Sequence, residues 1–168
     1  MKAVLKFCIF AAGLAMGQVV LAQASPVTSQ LLAQRVEMVA GKPVLKPAGD
    51  GKPGDVLQYS ATYRNTGTAA AGKLLATVPV PPGTTFIAAS EQPAPAQAST
   101  DGSTFAPMPL TRMVKQADGS MRKEPVPLAD YRALRWEIGN LPAGATSVVS
   151  LRVSIDAPAV ASAAPAKR

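Results

Sequence analysis

The fold is decided by one stretch of the chain, Val56-Leu57-Gln58-Tyr59-Ser60-Ala61-Thr62-Tyr63-Arg64-Asn65. Its apolar residues, from Leu57 to Tyr63, alternate with polar residues, from Gln58 to Arg64. Successive side chains of a β-strand point to opposite faces of the sheet, so a period of two predicts a strand that is buried on one face.

Further segments of the chain are also predicted to be strands. The alternation returns at Val149, Leu151, Val153 and Ile155. Residues 73–80, 84–89, 103–106 and 133–139 also read as strands, and residues 31–39 fit either a strand or a helix turn. Turn-forming sequences separate these runs: Asn65-Thr66-Gly67, Pro81-Pro82-Gly83 and Leu141-Pro142-Ala143-Gly144. About seven strands predict an all-β, immunoglobulin-like antiparallel β-sandwich.

The N-terminal segment has the order of an export signal. Lys2 and Lys6 precede an apolar run from Phe7 to Leu21, and Ala22-Gln23-Ala24 forms a small-residue cleavage site. Residues 1–24 are therefore predicted to be a signal peptide, and the protein is expected to be periplasmic or secreted. The alternative is a membrane anchor, but the run is shorter than the about 20 apolar residues that span a bilayer.

The composition excludes several kinds of chemistry. The chain has no histidine, and its single cysteine, Cys8, lies within the predicted signal peptide. Disulfides, thiol nucleophiles, Cys/His zinc sites and histidine-based acid–base catalysis are therefore not expected in the exported protein. The formal net charge of +7 is spread along the chain, so it indicates a solubilising surface more than a binding patch.

One domain is expected to follow the signal peptide. Residues 25–156 have the size of a single β-sandwich, and residues 157–168, rich in Ala, Pro and Ser, are expected to be disordered. Within the domain, residues 91–132 form a long insertion. Its first part, 92–100, is expected to be mobile, whereas Ala117-Asp118-Gly119 between residues 113–116 and 120–123 predicts a hairpin.

Several motifs resemble a known family in their order along the chain. They are Gly54-Asp55 before the alternating strand, Asn65-Thr66-Gly67 after it, Pro82-Gly83-Thr84-Thr85-Phe86, Trp136-Glu137-Ile138-Gly139 and Leu141-Pro142-Ala143-Gly144. Over residues 54–155 the chain resembles the bacterial domain of unknown function eleven, the conserved repeat domain of cell-envelope and surface proteins. That resemblance implies a β-sandwich in the envelope. Unlike the tandem repeats of the family, this chain has one copy, and it has Thr77-Val78-Pro79-Val80 before the Pro-Gly turn.

Trp136 has two interpretations. Leu134 and Ile138 share its strand face, which favours a core position. The alternative is an exposed platform on which a sugar stacks.

Two groups of residues invite a metal-site interpretation. Met108, Met113 and Met121 are potential soft-metal ligands, but their irregular spacing without His or Cys favours packing. Asp50, Asp55, Asp101 and Asp118 lack the dense spacing of a calcium loop. We interpret the aspartates as turn residues and expect neither a metal nor a cofactor.

The densest basic segment lies on the predicted hairpin and next to it. It supplies the candidate partner-binding residues Arg112, Lys115, Arg122 and Lys123, with Tyr131 nearby. The alternative is that these residues form a solvated surface that binds no partner.

The functional expectation is an exported, non-catalytic interaction module of the cell envelope that binds an envelope or surface protein. The alternative is a module that binds an anionic envelope polymer or a glycan. An enzyme would need carboxylate-only chemistry, and no paired acids are evident at strand ends. Nucleic acid is not expected as a partner, and no membrane span is expected after signal cleavage.

The signal peptide gives the first testable prediction. The exported protein should begin at Ser25 or an immediate neighbour, because the small residues at Ala22 and Ala24 suit signal peptidase. N-terminal sequencing of protein from the envelope fraction measures this. An intact Met1 in that fraction would contradict it.

Overall fold

The alternating stretch 56–65 lies at the centre of an antiparallel sheet in the computed structural model, which describes residues 26–158. The predicted signal peptide, residues 1–24, and most of the predicted disordered tail, residues 159–168, lie outside the described residues. The described chain contains eleven strands: β1 Val27–Val39, β2 Lys42–Pro47, β3 Val56–Asn65, β4 Ala71–Pro79, β5 Thr84–Phe86, β6 Gln97–Ser99, β7 Ala106–Pro107, β8 Thr111–Lys115, β9 Met121–Pro125, β10 Ala133–Leu141 and β11 Thr146–Ile155.

Two antiparallel sheets face each other, and a third, two-stranded sheet stands apart from them. The first sheet has the order β2-β1-β3-β11-β5, the second has the order β4-β10-β6-β7, and β8 pairs only with β9. A single 3₁₀ turn, Leu128–Asp130, lies between β9 and β10. No helix within residues 26–158 has the length and apolar character needed to cross a bilayer. The predicted all-β antiparallel sandwich is confirmed.

The strand count exceeds the prediction of about seven for two reasons. The segment before β3 folds into two strands joined by Ala40 and Gly41, both at positive φ, which is the backbone of a tight hairpin turn. Residues 31–39 are thus a strand and not a helix turn. The insertion adds β6 and β7 to the second sheet in addition to the predicted hairpin.

Two predictions within the insertion are wrong. Residues 92–100, expected to be mobile, include β6, where Ala98 and Ser99 are buried against β10. Pairing with β10 and burial of these two residues hold this part of the segment in place. Of residues 103–106, expected to be a strand, only Ala106 lies in one, at the start of β7. Ser103 and Thr104 instead turn around the Asp101 carboxylate, which accepts hydrogen bonds from both of their amides at 2.7 Å.

The core lies between β3 and β11 of the first sheet and β4 and β10 of the second. Leu57 and Ala61 of β3 lie opposite Val153 and Val149 of β11, on the buried face that the alternation predicted. Trp136 of β10 is 2% exposed, and its indole Nε1 donates a hydrogen bond to the Pro93 carbonyl at 2.7 Å. The core interpretation of Trp136 is confirmed.

Asn65, the last residue of β3, is a fully buried polar residue whose groups are all paired. Its Nδ2 donates to the carbonyls of Ala69 at 2.8 Å and Leu141 at 2.9 Å, and its Oδ1 accepts from the Gly67 amide at 3.0 Å. Its backbone N–H donates to the Ala145 carbonyl, and its carbonyl accepts from the Gly144 amide. One side chain therefore closes the turn after β3 and connects the first sheet to the end of β10.

Removal of this side chain gives the second testable prediction. Asn65→Ala should lower the free energy of unfolding by about 3 kcal/mol, because it removes three hydrogen bonds, of which the one to the Leu141 carbonyl is buried and the other two are partly buried. Denaturant titration measures the loss. Asn140→Ala, an exposed asparagine on β10, is the matched control and should change stability by less than about 0.5 kcal/mol. Equal effects of the two changes would contradict this account of Asn65.

Candidate functional site

The hairpin formed by β8 and β9 is the candidate interaction site. Its register pairs Thr111 with Pro125 and Lys115 with Met121, and the Gln116 amide closes the loop on the Ser120 carbonyl at 2.8 Å. Gly119 has a φ of 85°, which glycine adopts without strain. The prediction of a hairpin around Asp118-Gly119 is confirmed.

The two faces of the hairpin differ in composition. Residues that lie opposite each other share a face, so Met113 and Lys123 lie on the same face as Lys115 and Met121. Arg112 and Glu124 lie on the other face, together with Val114 and Arg122. The candidate cations are thus divided between the two faces and do not form one basic patch.

The methionine-bearing face is open to solvent. Met113 is 57% exposed and Met121 is 56% exposed. These side chains therefore do not cover either main sheet. Met113 lies opposite Lys123 and Met121 lies opposite Lys115, so this face alternates exposed thioether and ammonium side chains.

The charges of the hairpin have few counter-ions. Arg112 Nη1 lies 3.5 Å from Asp130 Oδ2, and both side chains are about half exposed, so this pair stabilises the fold little. Within residues 26–158 no ion pair includes Lys115, Arg122 or Lys123. These three cations remain available to an external partner.

Tyr131, the fifth candidate residue, does not belong to this surface. Its side chain is 1% exposed and stacks on Phe86 with a centroid distance of 5.8 Å. The Tyr131 hydroxyl accepts a hydrogen bond from the Leu110 amide at 2.9 Å. The expectation that Tyr131 belongs to the same surface as the hairpin cations is corrected, because its ring is buried in the core and its hydroxyl holds Leu110, the residue before β8.

The foot of the hairpin is fixed by the backbone as well. The Val126 amide, just after β9, donates to the Leu110 carbonyl at 2.9 Å. Together with the Tyr131 hydroxyl, this bond ties both chain segments that enter the hairpin to the sandwich. The root of the hairpin is held while its tip projects, an arrangement common to binding loops on rigid scaffolds.

Three of the four aspartates considered as calcium ligands, Asp55, Asp101 and Asp118, accept hydrogen bonds from nearby residues in turns. The Thr104 and Ser103 amides, with the Ser99 hydroxyl, hold the pKa of Asp101 well below its usual range. The Ser120 hydroxyl and amide lower the pKa of Asp118, and the Asp55 carboxylate accepts from the Lys52 amide at 2.9 Å. No cluster of three or more potential acidic metal ligands occurs among the described residues.

Two cavities flank the foot of the hairpin. The larger has a volume of about 570 Å³ and a polar wall that includes Arg112, Asp130 and Arg132. The smaller has a volume of about 240 Å³, is lined largely by apolar residues and contains Glu91. Sequence reasoning missed the second cavity, because Glu91 stands alone between Ser90 and Gln92 and only the tertiary fold brings it to Met108, Leu128 and Tyr131.

Comparisons with family models, with curated proteins and with solved structures found no match to the chain. The resemblance to the bacterial envelope repeat domain therefore stays a prediction from the sequence.

The geometry of the hairpin yields the third testable prediction. Replacement of residues 113–123 by a short glycine-containing turn should change the free energy of unfolding by less than about 1 kcal/mol, because Met113 and Met121 are exposed and cover no core surface. Denaturant titration measures this. Tyr131→Ala is the contrasting control and should cost about 3–5 kcal/mol, since it removes a buried, stacked ring. A large loss on hairpin replacement would show that the hairpin is part of the folding core.

Proposed function

We propose that the protein is an exported, non-catalytic interaction module of the bacterial cell envelope that binds another protein through the hairpin of β8 and β9. The observation that carries this proposal is the exposure of Met113 and Met121, each opposite a lysine, on a hairpin that is rooted in the core. Methionine side chains adapt to varied apolar partners and are favoured at binding surfaces. The export signal and the envelope-family resemblance support the location.

The edges of the first sheet are less suited to a partner. The two-residue turn at Ala40 and Gly41 makes Val39 and Lys42 a hydrogen-bonded pair, and such pairs alternate along an antiparallel ladder. The backbone of Pro43 and Pro47 therefore lies on the free side of β2, where proline has no N–H to offer. The opposite edge, β5, is only three residues long.

The edges of the second sheet are closed in a similar way. On the free side of β4 the Tyr63 hydroxyl accepts from the Thr77 amide at 3.2 Å and approaches the Thr77 carbonyl at 3.4 Å. Pro79 lies two residues further along the same side and has no N–H. The other edge, β7, has two residues. Short edges, prolines and side-chain caps are devices that prevent strand addition, so they favour the hairpin as the contact.

The second candidate function is binding of an anionic envelope polymer or a glycan. It is favoured by one observation, namely that Lys115, Arg122 and Lys123 have no counter-ion among the described residues. Because the cations occupy both faces of the hairpin, a flexible polyanion that wraps around it would contact more of them than a flat surface would. Such binding would weaken steeply as salt is raised.

Capture experiments separate the two functions and form the fourth testable prediction. The exported protein is immobilised and incubated with envelope extract at low and high salt, and bound proteins and polysaccharides are both quantified. The double change Met113→Ser and Met121→Ser should abolish capture of the partner protein, because it removes the two large exposed apolar side chains of the hairpin. Reversal of charge at Arg112, Lys115, Arg122 and Lys123 should leave most of the capture in place.

A matched control is available on the first sheet. Val148 is 53% exposed, so Val148→Ser removes an apolar side chain of similar exposure outside the hairpin and should not affect capture. Loss of binding on charge reversal, together with loss at high salt, would instead support the polymer function. Unchanged capture after removal of the whole hairpin would contradict both.

A further inference from the structure

A small cavity lies beside the foot of the hairpin, on the side of β5. Its volume is about 240 Å³. Its wall consists of apolar residues, the Tyr131 ring and one acid: Phe86, Ala88, Ala89, Glu91, Met108, Pro109, Leu128 and Tyr131. Pockets for drug-sized ligands have about 300–1,000 Å³. This cavity therefore fits a single side chain more closely than a larger ligand.

The acid in this wall is not satisfied by the protein. Glu91 Oε2 is buried and accepts no hydrogen bond from any residue that the structure describes. A buried carboxylate oxygen without a donor costs free energy. Oε1 of the same carboxylate is not among the buried unpaired atoms, so a cation in the cavity reaches the carboxylate through Oε1 and offsets the negative charge that the two oxygens share.

No residue of the wall supplies that positive charge. The wall contains no lysine or arginine, and no ion pair within residues 26–158 includes Glu91. The site thus presents one anionic group at an otherwise apolar wall. Its complement is an aliphatic chain that ends in a cation, because long basic side chains bury their stems while their charged ends find a partner.

We propose that this cavity binds a lysine or arginine side chain of a partner protein, with the aliphatic stem against Phe86, Met108 and Leu128 and the terminal cation paired with Glu91. The chemistry of the ligand follows from the cavity alone. That the side chain belongs to the protein held by the hairpin rests on the proposed function. A protein held by the hairpin could also reach the cavity, because the wall residues Met108 and Pro109 are separated from the start of β8 only by Leu110.

The test uses a lysine side chain on a minimal backbone, Nα-acetyl-lysine N-methylamide, titrated into the exported protein labelled with ¹³C at the methionine methyl groups. Met108 lines the cavity and is the reporter, and Met108→Leu assigns its resonance. Met113 and Met121 lie on the exposed face of the hairpin and serve as internal controls in the same spectrum. We expect a saturable shift at Met108 without a matching shift at the other two.

Two further probes isolate the charge in the unaltered protein. The norleucine analogue retains an unbranched aliphatic side chain but lacks the ammonium group, and the Nε-acetylated lysine analogue retains the stem and is neutral. Both should bind at least about tenfold more weakly than the lysine probe, because charge-assisted hydrogen bonds are the stronger ones. Equal affinity of the three probes, or no saturable shift at Met108, would overturn the proposal.

A pair of variants tests the role of Glu91. Glu91→Gln should weaken binding of the lysine probe by at least about fivefold and leave the norleucine analogue unchanged, whereas the control Glu137→Gln, at an exposed position of β10, should alter neither. Unchanged lysine binding in Glu91→Gln would also overturn the proposal. If Glu91→Gln does not fold, the comparison of probes on the unaltered protein still decides. Because these titrations involve no partner protein, their outcome is independent of the capture experiment.

Discussion

The sandwich depends on the buried side chain of Asn65. A buried amide is stabilising only when its donors and acceptor are all paired, and here its partners come from the turn after β3 and the end of β10. The backbone of the same residue bonds to the connection into β11. No apolar side chain of similar volume supplies these directional contacts. The apolar faces of the two sheets supply most of the burial, but the amide fixes how the end of β3 meets the end of β10.

The second anchor is aromatic and lies further along the chain. The Phe86 ring, at the end of β5, stacks on Tyr131, and the Tyr131 hydroxyl extends this contact to the backbone at Leu110. A single tyrosine thus joins the first sheet to the root of the hairpin. Because the ring is buried and its hydroxyl is satisfied, the root gains its position from the core. The tip is then free to vary in sequence without loss of the fold.

The local sequence pattern correctly predicted the strands with regular alternation and the hairpin. It failed for residues whose burial depends on contacts with residues distant in the chain. The bounds of β3 and the core position of Trp136 follow from strict alternation, and the hairpin follows from Asp118-Gly119. Neighbouring cations suggested a surface position for Tyr131, whereas its ring is buried in the core and stacks on Phe86. The Ala- and Pro-rich segment 92–100 was expected to be mobile, although it includes β6, which pairs with β10. The cavity at Glu91 has no local signal at all.

The strand edges of the molecule are of two kinds: those blocked by proline or a side chain, and one that is open. On β2 and β4, proline or the Tyr63 hydroxyl occupies the places where a foreign strand would bond. β8 contains no proline and pairs with a single neighbour, so its outer backbone groups stay open to a partner strand. Its lysine and arginine side chains discourage pairing with another copy of the same basic hairpin, because like charges would meet. An incoming strand with few charged residues would not meet that repulsion. The combination of open backbone and cationic side chains therefore favours a heterologous protein partner over self-assembly at this edge.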